Sequence, residues 1–573
     1  MSESSGLILP QSTARGPLRH VGIYLVIADY AGADAFGRDD EMVRRFLIRQ
    51  ILDEVSQTDL LLGLNVLAKV WNRKAELDRV IDVLRSVLDE KSRMMLDNSM
   101  RPGPERRIPI VRQGILEGFR ESLRHGQEFT ERRLPPEAAA LMLTHCVLGR
   151  TPRTGDPTQF GGLDAEVSIP VCINQYFYGP DDDISRFDRV LRLWRTYGPK
   201  QASILGGRVP TDLLREAAGL DLEDLITMAF AFWAHEEQWQ LGDPQMLDIQ
   251  LNPDMDTEKW PTFLALIAAT PDEFAARLKD PKSEWDFLEF ETHPMIRMEH
   301  GLLLMDRQLL MDRVTSGLYY FVLDHEKEKG DAERQAWQKA WGGMVEELAE
   351  SCLRPMSPIV FGGGKTFFTE EDLRVAYPGR KQADVVIDYG SEMAVFEVVS
   401  GQLKIGSRVM LDVNAFREDF KKIVSSKLLQ LDVTCMNLLG NPRVLTGTTV
   451  VPSRLQPVLI AGGRFPVNAI TMQEIQSFIN DNSLFSDARI LPPGVLDLGE
   501  VEILEGLCER GHSPVDLISR WRSSDDALVS FRSWVFNEPG LDFLRPTRME
   551  ENVHNFLEEI GARLNFRRPA GGT

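Results

Sequence analysis

The chain has 573 residues, 43% of them hydrophobic and 26% charged, and its acids outnumber its bases 86 to 65 for a net charge of −21. That length is expected to hold about two to four domains with substantial cores, and the composition is that of a soluble globular chain, not a fibrous or disordered one. The acidic balance argues against a surface that is basic throughout, as in a general nucleic-acid binder, while leaving room for a local basic cleft.

The five cysteines (Cys146, Cys172, Cys352, Cys435 and Cys508) show no CxxC spacing, so neither a zinc knuckle nor a disulfide framework is indicated. They read as small core residues of a reducing compartment. The opening MSESSGLILPQSTARGP has no basic region followed by a long apolar run, which reads as no signal peptide. The longest apolar stretches, such as 22–28 and 229–234, fall far short of the roughly 20 residues a membrane span needs. The expectation is a soluble cytoplasmic protein with no membrane partner.

In chain order, 1–19 is small and polar and reads as a mobile tail. Residues 20–150 form a helical region. Within it 23–28 fits either a strand or a buried helical turn, and 39–88 carries apolar residues at three- and four-residue spacing, among them Phe46, Ile51, Val55, Leu64, Leu67 and Trp71. A charged connection over 90–112 contains Pro102 and Pro104, and helices are expected over 115–123 and 136–148. The run GRTPRTGDPTQFGGLD at 149–164 is the clearest loop; it either divides two lobes or is a mobile surface loop. Residues 151–330 are again mainly helical, with a strand-like stretch over 166–178 and helices over 185–197, 210–217, 222–240, 260–268 and 271–278. They end in a hairpin around Glu299-His300-Gly301 and a helix over 307–323. A domain boundary is expected in the charged, Gly-bearing stretch 327–332.

Beyond it, 331–353 is an amphipathic helix with Trp337, Trp341, Met344, Val345, Leu348 and Cys352 on its apolar face. The stretch QADVVIDYGSEMAVFEVVSG (382–401) reads as two short β-branched strands, 384–389 and 393–399, joined by a turn at Gly390-Ser391. Two carboxylates sit where a buried sheet is unfavourable to them: Asp384 at the start of the first strand, and Glu397 inside Ala-Val-Phe-Glu-Val-Val. Such groups need a partner, hydrogen bonds or a metal, so the pair suggests a divalent-cation site. A long helix over 412–439 follows, then a strand over 456–462, a helix over 472–480, a strand region over 488–498 and helices over 500–510 and 514–535. Residues 536–573 form a tail with one helix over 550–560.

An Asp at a strand start followed about a dozen residues later by an Asp or Glu in a hydrophobic strand resembles the PD-(D/E)xK, or restriction-endonuclease-like, nuclease superfamily. The resemblance covers 331–535 and rests on Asp384 and Glu397. It implies an α/β domain with a mixed central sheet, in the order helix, strand, strand, strand, helix, strand, giving an α+β protein whose N-terminal region is mainly helical. It further implies that Asp384, Glu397 and the Val398 carbonyl ligate Mg²⁺ or Mn²⁺, hard cations suited to oxygen donors, and that a bound water is thereby activated. Val399 stands where the family's lysine is expected. Lys404, past the strand, and Lys427, three residues before Gln430 on one face of the next helix, are the candidates for a relocated cation. The first helix often supplies a third acid; Glu346, Glu347 and Glu350 are available, and the family pattern favours Glu346.

The function implied is a metal-dependent nuclease acting on DNA or RNA, by fold-level analogy in bacterial nucleic-acid processing or defence against invaders. The alternative is an inactive nuclease fold serving as a nucleic-acid- or protein-binding or assembly module, as the missing lysine would suggest. The resemblance also admits a homodimer or a partner protein. Other patterns are set aside. GGGKT (362–366) lacks the first glycine of a phosphate loop and a long following helix, and His235-Glu236-Glu237 lacks the second histidine of a zinc-protease helix. His293 and His300 read as surface or structural, and Phe230, Phe232, Trp233 and Trp239 read as core.

Overall fold

The computed structural model describes residues 40–71, 74–87, 112–128, 134–148, 183–240, 258–283, 286–359, 364–379, 381–401, 403–409, 412–463, 469–542 and 545–563, with a few single residues between them. The expected tail at 1–19, the element at 23–28, the loop at 149–164 and the strand-like 166–178 lie outside the described residues. The described part is α+β and mostly helical, with two small mixed sheets. Among its helices, none is long and apolar enough to cross a membrane.

Two compact units share the chain discontinuously. One takes the described residues of 1–157 and 223–314, the other those of 158–222 and 315–573. Residues 315–330 therefore belong to the second unit, and the helices Leu318–Lys329 and Asp331–Leu353 on either side of Gly330 both sit in it.

The first unit is built on helices whose periodicity is plain in the sequence. Gln57–Val70 starts at Ser56, whose hydroxyl caps Asp59 N–H, and buries Leu60, Leu64 and Leu67. It lies so close to Pro136–Leu148 that a Cβ at Gly63 would overlap the Pro136 carbonyl. Its sheet is β1 (Ala268–Ala269), β2 (Met295–Met298) and β3 (Gly301–Leu304), the last two forming the expected antiparallel hairpin. A buried bidentate pair, Arg112 to Asp306 at 2.6 and 2.7 Å, fixes the start of Arg307–Val314, where Asp306 also accepts from Gln308 and Leu309 N–H. The residues set aside in the sequence have structural partners here. Glu236 is ion-paired with Lys69 at 3.1 Å and Glu237 with Arg307. Phe232 packs against Trp260 and Phe263. His293 is half-buried beside Arg277, and burial with that arginine lowers it to about 4.

The second unit holds a five-stranded sheet: β4 (Phe367–Thr369), β5 (Val385–Asp388), β6 (Glu392–Val399), β7 (Arg454–Ala461) and β8 (Gly494–Asp497), in that spatial order. The first three run antiparallel to one another in sequence; β6, β7 and β8 are parallel. Parallel strands need a crossover. That between β6 and β7 contains Val413–Phe420, a π-helical stretch Lys421–Ser425 and Ser426–Gly440, which the sequence pattern presents as one helix. Asp412 caps its start, accepting from Asn414 and Ala415 N–H. The 23-residue helix Asp331–Leu353 lies on the sheet: a Cβ at Gly462, just past β7, would collide with Val345. Of the GGGKT stretch, Gly364–Thr366 are described; they run into β4 and a seven-residue helix, Glu370–Ala376, with Lys365 ion-paired to Asp372. They enter the sheet and do not open a long helix.

Candidate metal and phosphodiester site

The apolar sequence of β6 buries it, and Glu397 goes inside with it. Its side chain has no solvent exposure, one oxygen takes the Lys427 ammonium, and the other, Oε2, has no hydrogen-bond partner among the described residues. Asp384 stands just before β5. Its N–H donates to the Phe396 carbonyl at 3.0 Å and its Oδ2 accepts from Val398 N–H at 2.6 Å, tying the aspartate to the strand that carries Glu397. Lys427 comes from the helix Ser426–Gly440, directly after the π-helical stretch; such stretches recur at functional sites. Val399, where the resemblance would have a lysine, is buried at the end of β6.

Electrostatics link these groups to a third acid. Burial, then Asp384, pushes the Glu397 carboxyl up to about 9; Lys427 pulls the other way and Glu346 adds to the rise. Burial and Asp384 likewise push Glu346 up to about 7. Asp384 is raised by burial, against the Val398 N–H and Lys427. For Lys427 burial acts downward, but Glu397, Asp384 and Glu346 hold it above its usual value. Of the three glutamates the sequence offered, Glu346 is the one that senses the pair. Glu347 is engaged by Lys200 and Gln201, and Glu350 by Arg354.

Lys404 is placed elsewhere, exposed and ion-paired with Asp419 at 3.1 Å. Gln430 donates its amide to the Gln382 carbonyl, two residues before Asp384. Val398 is buried in β6, and its N–H is the atom that meets Asp384. Glu370, exposed at the start of Glu370–Ala376, adds negative field at both Asp384 and Glu346. Sequence reading missed it, since in TEED it looks like an ordinary helix-start acid.

The donor set suits a hard divalent cation: carboxylate oxygens from the buried Glu397, the half-buried Asp384 and the exposed Glu346, against one lysine, with one Glu397 oxygen left without a hydrogen-bond partner among the described residues. These three acids do not offer three oxygens all within 4.8 Å of one another. Among the described residues only Glu216, His325 and Glu326 bring three such ligand atoms that close. There, Lys329 lies 2.8 Å from both glutamates and Arg208 3.0 Å from Glu326, so the acids already have cations. No family model, curated protein or solved structure matches the chain.

Proposed function

We propose that the second unit is a metal-dependent phosphodiesterase of the restriction-endonuclease-like class, acting on DNA or RNA. The observation that carries this is Glu397: a carboxylate sealed inside a central strand, half satisfied by Lys427, beside two further acids. The element order supports it too: helix Asp331–Leu353, then β4, β5, β6, the crossover helices and β7. Asp384, Glu397 and Glu346 would hold Mg²⁺ or Mn²⁺, which when bound neutralises phosphate charge and acidifies a water. Lys427 would then orient a water or a phosphate oxygen through its ammonium.

A second reading, a binding or assembly module without cleavage, is favoured by the Lys427–Glu397 ion pair, which already compensates one ligand. Mn²⁺ calorimetry with and without single-stranded DNA or RNA, followed by cleavage assays on both, separates the two. The nuclease reading expects binding and cleavage in the native chain, and loss of both in Asp384→Ala/Glu397→Ala. Nucleic-acid binding without metal uptake or cleavage supports the module; no metal uptake and no nucleic-acid binding sinks the nuclease reading.

A further inference from the structure

Asp384 is not held by its own strand alone. The two residues before it are clamped to the crossover helix. Ala383 N–H donates to Thr434 Oγ1 at 2.8 Å, and the Gln382 carbonyl accepts from Gln430 Nε2. Thr434 is itself oriented by donating to the Gln430 carbonyl at 2.9 Å, one turn back in its own helix. The Gln382 side chain, 2% exposed, completes the clamp: Oε1 accepts from Asn437 Nδ2 at 3.1 Å and Nε2 donates to the Tyr377 carbonyl at 3.2 Å.

Lys427, Gln430, Thr434 and Asn437 follow one another at helical spacing on one face of Ser426–Gly440. One end of that face grips Glu397 through Lys427; the rest grips the chain leading into Asp384. We infer that Thr434, with Gln430, is a positioning residue that sets the Asp384 carboxylate against β6, so that one helix face fixes both the acid and the cation of the site. A buried amide left without its acceptor is costly, and outer-shell partners of ligating carboxylates commonly tune metal affinity. The inference rests on the nuclease reading for its functional consequence, but not for its geometry.

The test uses the full chain with Thr434→Val, which keeps the shape and removes the hydroxyl, and Thr434→Ser, which restores it. Hydrogen–deuterium exchange is followed in the β6 peptide, where Val398 N–H reports its bond to Asp384, with the β7 peptide as control. Mn²⁺ affinity is measured by calorimetry. The valine variant is expected to speed exchange in β6 but not β7 and to weaken Mn²⁺ binding about tenfold, with serine restoring both. Unchanged exchange in β6, an equal rise in β7, unchanged Mn²⁺ affinity, or failure of serine to rescue overturns the latch. If the native chain takes no Mn²⁺, the functional reading falls while the exchange comparison still decides the latch. Should the valine variant not fold, Gln430→Met is read in the same way.

Discussion

Two acid clusters in the second unit invite the same interpretation and differ in what feeds them. At Glu216, His325 and Glu326 the ligand atoms are closest together, yet Lys329 and Arg208 reach both glutamates, and hydrogen bonding from Lys329 holds the Glu216 carboxyl below its usual value. At Glu346, Asp384 and Glu397 the acids are less tightly drawn together and share one lysine, and burial drives all three carboxyls up. The two clusters thus separate closeness of acids from compensation of their charge. The informative sign is buried negative charge that the protein's own cations leave uncompensated.

The strongest challenge to this contrast is Lys427→Ala. Where Glu397 is ionised, removing one partner of the buried pair leaves the other charge stranded, which costs about 3 kcal/mol. A protonated Glu397 does not need the lysine, so the cost is expected to grow as pH rises through about 9. Urea denaturation at pH 5 and pH 9.5 measures it; a small, pH-independent cost would remove Glu397 from the argument.

Glu397→Gln sharpens the same point from the other side. The folded carboxyl lies at about 9, above its ordinary 4.5. Its contribution to stability is thus fully present below about 4.5 and is lost as pH rises through about 9. In chelator-treated protein the native melting temperature should fall over that window, and the glutamine variant should fall less. Equal slopes would show that Glu397 does not titrate as its burial demands.

The smallest effect is expected at the compensated cluster. Glu216→Gln should cost under about 1 kcal/mol, as exposed pairs do, and leave Mn²⁺ affinity as it was. Its folded carboxyl lies below the ordinary value, so the contribution exists above that value and vanishes as pH falls through the folded one. Loss of Mn²⁺ binding in this variant would reverse the comparison.

Much of the second unit was legible because it breaks local rules. A carboxylate within AVFEVV is conspicuous in any apolar strand, and Asp331–Leu353 follows its periodicity end to end. The sequence leaves Lys404 and Lys427 both open as the cation, and periodicity leaves Glu346 open beside its neighbours, with only the family resemblance favouring it; the register of helix on sheet is what sets Lys427 against Glu397. Thr434 carried no signal, since a threonine in an apolar helix looks like a core residue, and only the fold brings Ala383 N–H to it. Asp188 was equally silent. It is buried and takes Arg548 at 3.0 Å and Asn552 at 2.7 Å, the arginine 360 positions away in the chain.

That last separation has a consequence during synthesis. Asp183–Leu191 is made early, but two of its charged side chains find partners made late: Arg189 meets Glu502 at 3.1 Å, and Asp188 meets Arg548. At about 5–20 residues per second, the interval before Arg548 is made is roughly 20–70 s. Through that interval Asp188 is without this distant partner, so the second unit can complete its packing only after Arg548 has been translated.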